Sequence, residues 1–203
     1  MKRLLINGIT TIGIAIGIAG CATPPPTHTN NICSIFQENS KWYFAAMDAQ
    51  KEWGVPISVT MAIIYQESGY HSKAKPARET FFGIPTFRPT SAFGYSQATD
   101  ESWRVYKRDT YSYSANRNSF SSAVDFIGWY ADQAHRKAHI SKGDPYKLYL
   151  AYHEGIGGYM RGTYKHKKWL ISIAHQVEKR SWMYHRQLKS CQADLPQKSW
   201  WFF

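Results

Sequence analysis

The sequence lacks an unbroken apolar run long enough to cross a bilayer. Its most apolar stretch, Leu4 to Ala19, is interrupted by Asn7, Thr10 and Thr11, whereas a spanning helix takes roughly 20 consecutive apolar residues. Acidic residues are few: 14 Asp and Glu stand against 25 Lys and Arg, a net charge of +11. A chain this basic suits nucleic acid, an anionic membrane or an acidic polymer as partner, and charge alone does not separate these. Cysteine is scarce, with three in the chain, so one disulfide is the most that can form. No internal repeat is present, and the roughly 180 residues after position 20 suffice for one domain with its own core. Metal and phosphate patterns are also missing. His135 and His139 lie four apart on one helix face, but no third ligand is evident, and His153-Glu154 lacks the second His of a zinc-protease motif. Gly155, Gly157 and Gly158 follow no strand and lead to no Lys-Ser or Lys-Thr, which argues against a phosphate loop. Neither a metal nor an organic cofactor is expected.

What is present begins with a leader. Lys2 and Arg3 precede the apolar stretch, as in a secretory signal peptide. The stretch ends Ile18-Ala19-Gly20-Cys21, which resembles a bacterial lipobox. The resemblance implies cleavage before Cys21, lipidation of Cys21 and attachment to a membrane. Because the next residue is Ala22 rather than Asp, resemblance to enterobacterial sorting places the protein on the periplasmic side of the outer membrane. Without Lys2 and Arg3 the charge is still +9, and an exported lipoprotein seldom meets nucleic acid. Residues 22–31, with Pro24-Pro25-Pro26, have the composition of a linker. The expected organisation is a signal peptide over 1–20, a lipidated Cys and flexible tether over 21–32, a domain over 33–191 and an aromatic tail over 192–203. With Cys21 lipidated, Cys33 and Cys191 remain. The oxidising periplasm favours a bridge between them over two buried thiols.

From Cys33 onward the apolar spacing is helical, and the fold class is mainly α. Ile35 to Trp53 follows a helical period and stops at Gly54. Pro56 opens a second helix in its first turn, which places Val59, Ala62, Ile63 and Gln66 on one stripe and ends at Glu67-Ser68-Gly69. Residues 70–95 form a long irregular loop, and such loops in compact domains are usually functional. Helix resumes from about Gln97 to Thr110, and again from a cap at Ser119 or Ser121 to about Ile140. Asp144-Pro145 is a strong start signal. A last helix covers Lys165 to Ser190, with Trp169, Ile173, Val177 and Leu188 inward. Residues 161–189 carry eight Lys and Arg against one acid, which reads mainly as the solvated face of that helix. Trp103, Tyr106 and Trp129 belong in the core. Trp200, Trp201, Phe202 and Phe203 fit a disordered tail, a docking peptide or a packed strand.

Three segments carry chemistry: Ala62-Ile63-Ile64-Tyr65-Gln66-Glu67-Ser68-Gly69, Gly94-Tyr95-Ser96-Gln97 and Ala151-Tyr152-His153-Glu154-Gly155. The first ends an apolar helix in a carboxylate. Partial burial there raises a carboxyl pKa, as a general acid requires. In order and spacing the three resemble the soluble lytic transglycosylase (SLT-domain, lysozyme-like) family. That family combines a helix ending in Glu-Ser, a Gly-apolar-Met-Gln segment and an Ala-Tyr-Asn-x-Gly segment. Lys75-Pro76-Ala77-Arg78, the run Arg88 to Tyr95 and Tyr152-His153-Glu154-Gly155 are similar to a lipoprotein branch of it. The resemblance spans about residues 57–160 and implies a lysozyme-like, goose-type helical fold.

It further implies that Glu67 is the acid/base and that the partner is the peptidoglycan glycan strand, whose carboxylates suit the basic charge. The expected substrate contacts are Ser68, Gly94, Tyr95, Ser96, Gln97, Tyr152, His153 and Glu154. Gly94 would admit close approach of the sugar, and Tyr152 would hydrogen-bond near Glu67 and orient it. Tyr95, Ser96 and His153 depart from the family pattern, which bears on substrate contacts more than on the acid. The implied reaction cleaves the bond between N-acetylmuramic acid and N-acetylglucosamine, forming a 1,6-anhydro ring on the muramic acid. A muramidase-type hydrolase would need a second carboxylate, for which Glu154, Glu79 and Asp100 are candidates. A non-catalytic wall-binding lipoprotein has no use for a poised acid.

Overall fold

The computed structural model describes residues 24–81 and 84–197. The signal segment, Cys21 and the Trp200–Phe203 tail lie outside these residues. The molecule is mainly helical: α1 (Ile32–Glu38), α2 (Ser40–Trp53), α3 (Ile57–Ser68), α4 (Asp100–Asp109), α5 (Phe120–Ala138), α6 (Pro145–Glu154), α7 (Ile156–Arg161) and α8 (Lys168–Cys191). One two-residue antiparallel pair, β1 (Thr80–Phe81) with β2 (Ile84–Pro85), sits inside the long loop after α3, in the register Thr80↔Pro85 and Phe81↔Ile84.

Helix α3 is the centre of the fold. Every residue from Ile57 to Ile64 is buried, so the expected apolar stripe is in fact a full cylinder. Helices α2, α5, α6 and α8 pack around it. A helix this apolar has no wide solvent face to present and takes the core, with the Thr60 hydroxyl satisfied by the Ile57 carbonyl at 3.0 Å. Trp103, Tyr106 and Trp129 are buried as expected. An aromatic cluster fills one side, where Trp42 stacks on Phe120 at 3.9 Å between ring centroids and meets the edge of Tyr95 at 5.5 Å.

Several boundaries differ from the periodic reading. The first helical stretch breaks at Asn39 (φ −135°, ψ 72°) into α1 and α2. Pro56 precedes α3 as its cap rather than lying in its first turn. Helix α4 starts at Asp100, where the Thr99 side chain accepts from the Ser102 N–H, because Gln97 takes a left-handed conformation (φ 49°). Asp144 caps α6 through the Lys147 N–H at 2.9 Å, followed by Pro145. Trp169 is a correction: it is 53% exposed, because the buried face of α8 runs through Leu170, Ala174, Val177, Ser181 and Tyr184. That face lies about a third of a turn away from Trp169.

Cys33 and Cys191 are joined by a disulfide that ties α1 to the end of α8. The linker also departs from its composition, since residues 26–31 are fixed on the body. Pro26 is buried, and the Thr27 N–H donates to the Glu38 carboxylate at 3.0 Å. Arg180 donates to the Asn30 side chain at 2.9 Å and to the Thr29 carbonyl at 3.3 Å, while its guanidinium lies 3.4 Å from the Tyr65 ring centroid. Gln187 donates to the Asn30 carbonyl at 3.0 Å. These are long-range partners, supplied by α1 and α8, that local composition does not reveal.

Candidate active site

Glu67 lies in the last turn of α3, and the chain behind it is locked. Gly69 caps the helix in a left-handed conformation (φ 56°). Tyr70 is left-handed as well (φ 66°), which costs a non-glycine residue roughly 1–2 kcal/mol. Its ring is fully buried and its hydroxyl donates to the Met61 carbonyl at 3.1 Å, which offsets the strain and holds the turn. Ser68 returns its hydroxyl to the Ile64 carbonyl at 3.1 Å. In this state it fixes the helix end rather than offering its proton to a ligand.

The Glu67 carboxyl faces Tyr149 on α6, whose hydroxyl hydrogen-bonds it. Burial raises the carboxyl pKa to about 7, against the opposing pull of the Tyr149 hydrogen bond, which favours the charged form. A sizeable fraction therefore carries a proton at neutral pH. Burial and the Glu67 charge together push the Tyr149 hydroxyl far above its ordinary value, so it remains a donor.

The sequence assigned the orienting hydrogen bond to Tyr152, and here the structure corrects it. Tyr149 and Tyr152 stand three residues apart on one face of α6. Tyr149 reaches Glu67, while Tyr152 donates to the Ser96 carbonyl. Tyr152 still senses Glu67: burial first, then the Glu67 charge, raise its hydroxyl well above the ordinary range. Tyr130 on α5 donates to the Ala151 carbonyl at 2.9 Å and packs edge-on against Tyr152 at 5.1 Å. Burial moves the Tyr130 hydroxyl up to about 12. The signal for Tyr149 was present in its helical spacing from Tyr152 behind the Asp144-Pro145 start.

The Gly94–Gln97 segment shapes the site from behind. Gly94 (φ 77°) packs against the Arg117 carbonyl, which a Cβ would meet at 2.1 Å. Its glycine thus serves the approach of protein backbone rather than of sugar. Tyr95 is buried in the aromatic cluster with its hydroxyl hydrogen-bonded to Ser72. Ser96 is fully buried and presents its carbonyl to Tyr152. These three expected substrate contacts are therefore interior. Gln97 is partly exposed, and its amide donates to the carbonyls of Ala74 at 2.9 Å and Gly94 at 2.8 Å.

The candidate second acids are engaged elsewhere or stand apart. The Glu154 carboxylate is 4% exposed and accepts from Lys167 at 2.7 Å, from Thr163 and from His153 at 3.1 Å. Burial would raise its pKa, but these three partners, Lys167 first, hold it down at about 2. Its cation is Lys167. Asp100 is ion-paired with Arg117 at 2.6 Å. Glu79 is exposed at the foot of the β1–β2 pair. The His153 side chain is 36% exposed beside the edge of Trp169, 5.1 Å between rings. His135 turns Nδ1 to the Ile140 carbonyl at 2.9 Å, and His139 takes the left-handed cap of α5.

A groove of about 480 Å³ lies beside the end of α3, lined by Pro24, Pro25, Ser68, His71, Lys73 and Lys75 among others; Glu67 itself is not in its lining. A larger concavity of about 800 Å³ lies between α2, the end of α4 and α5, and includes none of the residues around Glu67.

A family model described as the transglycosylase SLT domain matches residues 9–191. The chain belongs to this family. The helical SLT fold, with a Glu-Ser pair closing its central helix, is thus the frame in which Glu67 stands. Membership points to transglycosylase activity on peptidoglycan. No match was found among curated proteins or solved structures.

Proposed function

We propose that this SLT domain is a lytic transglycosylase in which Glu67 acts first as acid and then as base. The observation that carries the reading is a carboxyl with a pKa of about 7, raised by burial and hydrogen-bonded to Tyr149. Protonated Glu67 gives its proton to the glycosidic oxygen between N-acetylmuramic acid and N-acetylglucosamine as the C1–O bond breaks. Positive charge develops at C1 and the ring oxygen. The Glu67 carboxylate, steadied by the Tyr149 O–H, then accepts the proton of the muramic acid C6 hydroxyl. The C6 oxygen bonds to C1 and closes the 1,6-anhydro ring. The proton Glu67 lost is regained, and no water enters.

One carboxylate suffices because the nucleophile belongs to the substrate. The pairing of Asp100 with Arg117 and of Glu154 with Lys167, Thr163 and His153 supports this reading over hydrolysis. Gln97, Tyr152 and His153 are our proposed glycan-side residues, since each keeps some exposure. We further propose that the protein is exported, lipidated at Cys21 and held on the periplasmic side of the outer membrane. Purified sacculi digested with the protein, followed by mass spectrometry of the muropeptides, test the reaction. Products ending in 1,6-anhydromuramic acid are expected. Products heavier by one water and reducible by borohydride would make the enzyme a hydrolase.

A further inference from the structure

The chain that follows Cys21 is anchored on the domain from Pro26 onward, since Pro26 is buried and Thr27, Thr29 and Asn30 bond to α1 and α8. Pro24 and Pro25 line the groove shared with Ser68, Lys73 and Lys75. Three residue steps separate Cys21 from Pro24, at most about 11 Å of extended chain. A lipid on Cys21 therefore brings headgroups to this rim of the molecule.

The rim has the composition for it. Residues 71–88 hold four Lys and Arg and one acid. Lys73, Lys75, Arg78 and Arg88 are exposed. None of the four forms an ion pair among the described residues. Phe87 stands among them 67% exposed, a large apolar side chain left in water. The pieces belong to one surface. Arg88 donates to the Pro76 carbonyl, Arg78 to the Thr86 carbonyl at 3.3 Å, and the Glu79 N–H to the Phe87 carbonyl at 3.0 Å. Cations carried on one loop with an exposed aromatic side chain suit the interface of an anionic bilayer, where the ring enters the headgroup layer and the cations meet phosphate.

We propose that Lys73, Lys75, Arg78, Phe87 and Arg88 form a docking face for anionic phospholipid headgroups. The face sets the end of α3, which carries Glu67 and Ser68, at a fixed height and tilt over the leaflet that holds Cys21. The proposal rests on the lipoprotein reading for the position of the leaflet, and not on the chemistry of Glu67.

The core lies within residues 26–195, so the chain from position 21 onward with Cys21→Ser serves as the test protein and removes any acyl contribution. Its cosedimentation is measured with vesicles of mixed phosphatidylglycerol and phosphatidylcholine, and with phosphatidylcholine alone. Binding should favour the anionic vesicles and weaken with salt. Removing one such cation should weaken it about fivefold, and the pairs Lys73→Glu with Lys75→Glu, and Arg78→Glu with Arg88→Glu, by more than tenfold. Phe87→Ser should weaken binding without changing its salt slope. Lys179→Glu with Lys189→Glu, the same charge change on the exposed face of α8, should leave binding near the parent value. An equal loss in this α8 pair would assign binding to overall charge and overturn the proposal. Equal binding to both vesicle types would also overturn it. So would rim variants that keep vesicle binding but lose binding to sacculi, which would assign the rim to the wall. Circular dichroism checks that these exposed substitutions leave the fold intact.

Discussion

Replacing Glu67 by Gln removes the proposed proton donor while keeping an oxygen for the Tyr149 hydroxyl. Two consequences separate a poised catalytic acid from a merely structural carboxyl. General acid/base groups contribute roughly 10²–10⁴ in rate, so Glu67→Gln should lose at least about a hundredfold in sacculus cleavage with glycan binding retained. The second consequence is a change in stability. The Glu67 pKa rises from 4.5 to about 7 on folding, which at 1.36 kcal/mol per unit is at most about 3 kcal/mol. Because the folded value lies above the unfolded one, the native state holds the proton more tightly. Stability from this group is therefore complete below about pH 4.5 and is lost as pH rises through about 7. Gln cannot ionise and escapes that loss. Urea unfolding should show parent and Glu67→Gln nearly equal at pH 4. The variant should gain up to about 3 kcal/mol on the parent by pH 8. A stability difference that stays constant over this range would refute the burial argument, whatever happened to activity.

Four further outcomes follow from the geometry. The kcat/KM of the parent should fall about tenfold per pH unit above the Glu67 pKa of about 7, as measured by a pH profile on soluble glycan strands. Tyr149→Phe removes the hydrogen bond that favours the ionised carboxyl, so the alkaline limb should move to higher pH and the maximal rate should drop. An unmoved limb would remove Tyr149 from the site. Gly94→Ala should destabilise the fold by more than about 1 kcal/mol, since φ is 77° and the new Cβ would press on the Arg117 carbonyl; thermal unfolding measures this. Cys33→Ser with Cys191→Ser should cost roughly 2–5 kcal/mol, read from urea unfolding, with reductant producing the same loss in the parent alone.

The helical architecture and the buried setting of Glu67 were legible in sequence because each rests on a local pattern. Helical spacing, Gly54, Gly69 and Asp144-Pro145 mark where helices start and stop whatever they later touch. Glu67 stood out because a carboxylate ends a largely apolar helix and because its segment resembles, together with two others in order, the family's motifs. Its partner was not, since Tyr149 and Tyr152 share a helix face and only the rotation of α6 against α3 chooses between them. The same holds for Gly94, Tyr95 and Ser96. Their motif marks a segment near the site, but the Arg117 carbonyl, Trp42 and Tyr152, distant in the chain, turn them inward. Residues 22–31 read as a linker because composition reports only what a segment can do alone. Arg180 and Gln187, about 150 residues away, decide that its end at Thr29 and Asn30 is held. What depends on spacing and composition within one helix was therefore fixed by sequence. What depends on which side chain a neighbouring element presents was decided only by tertiary packing, because contacts between distant segments leave no local periodic trace.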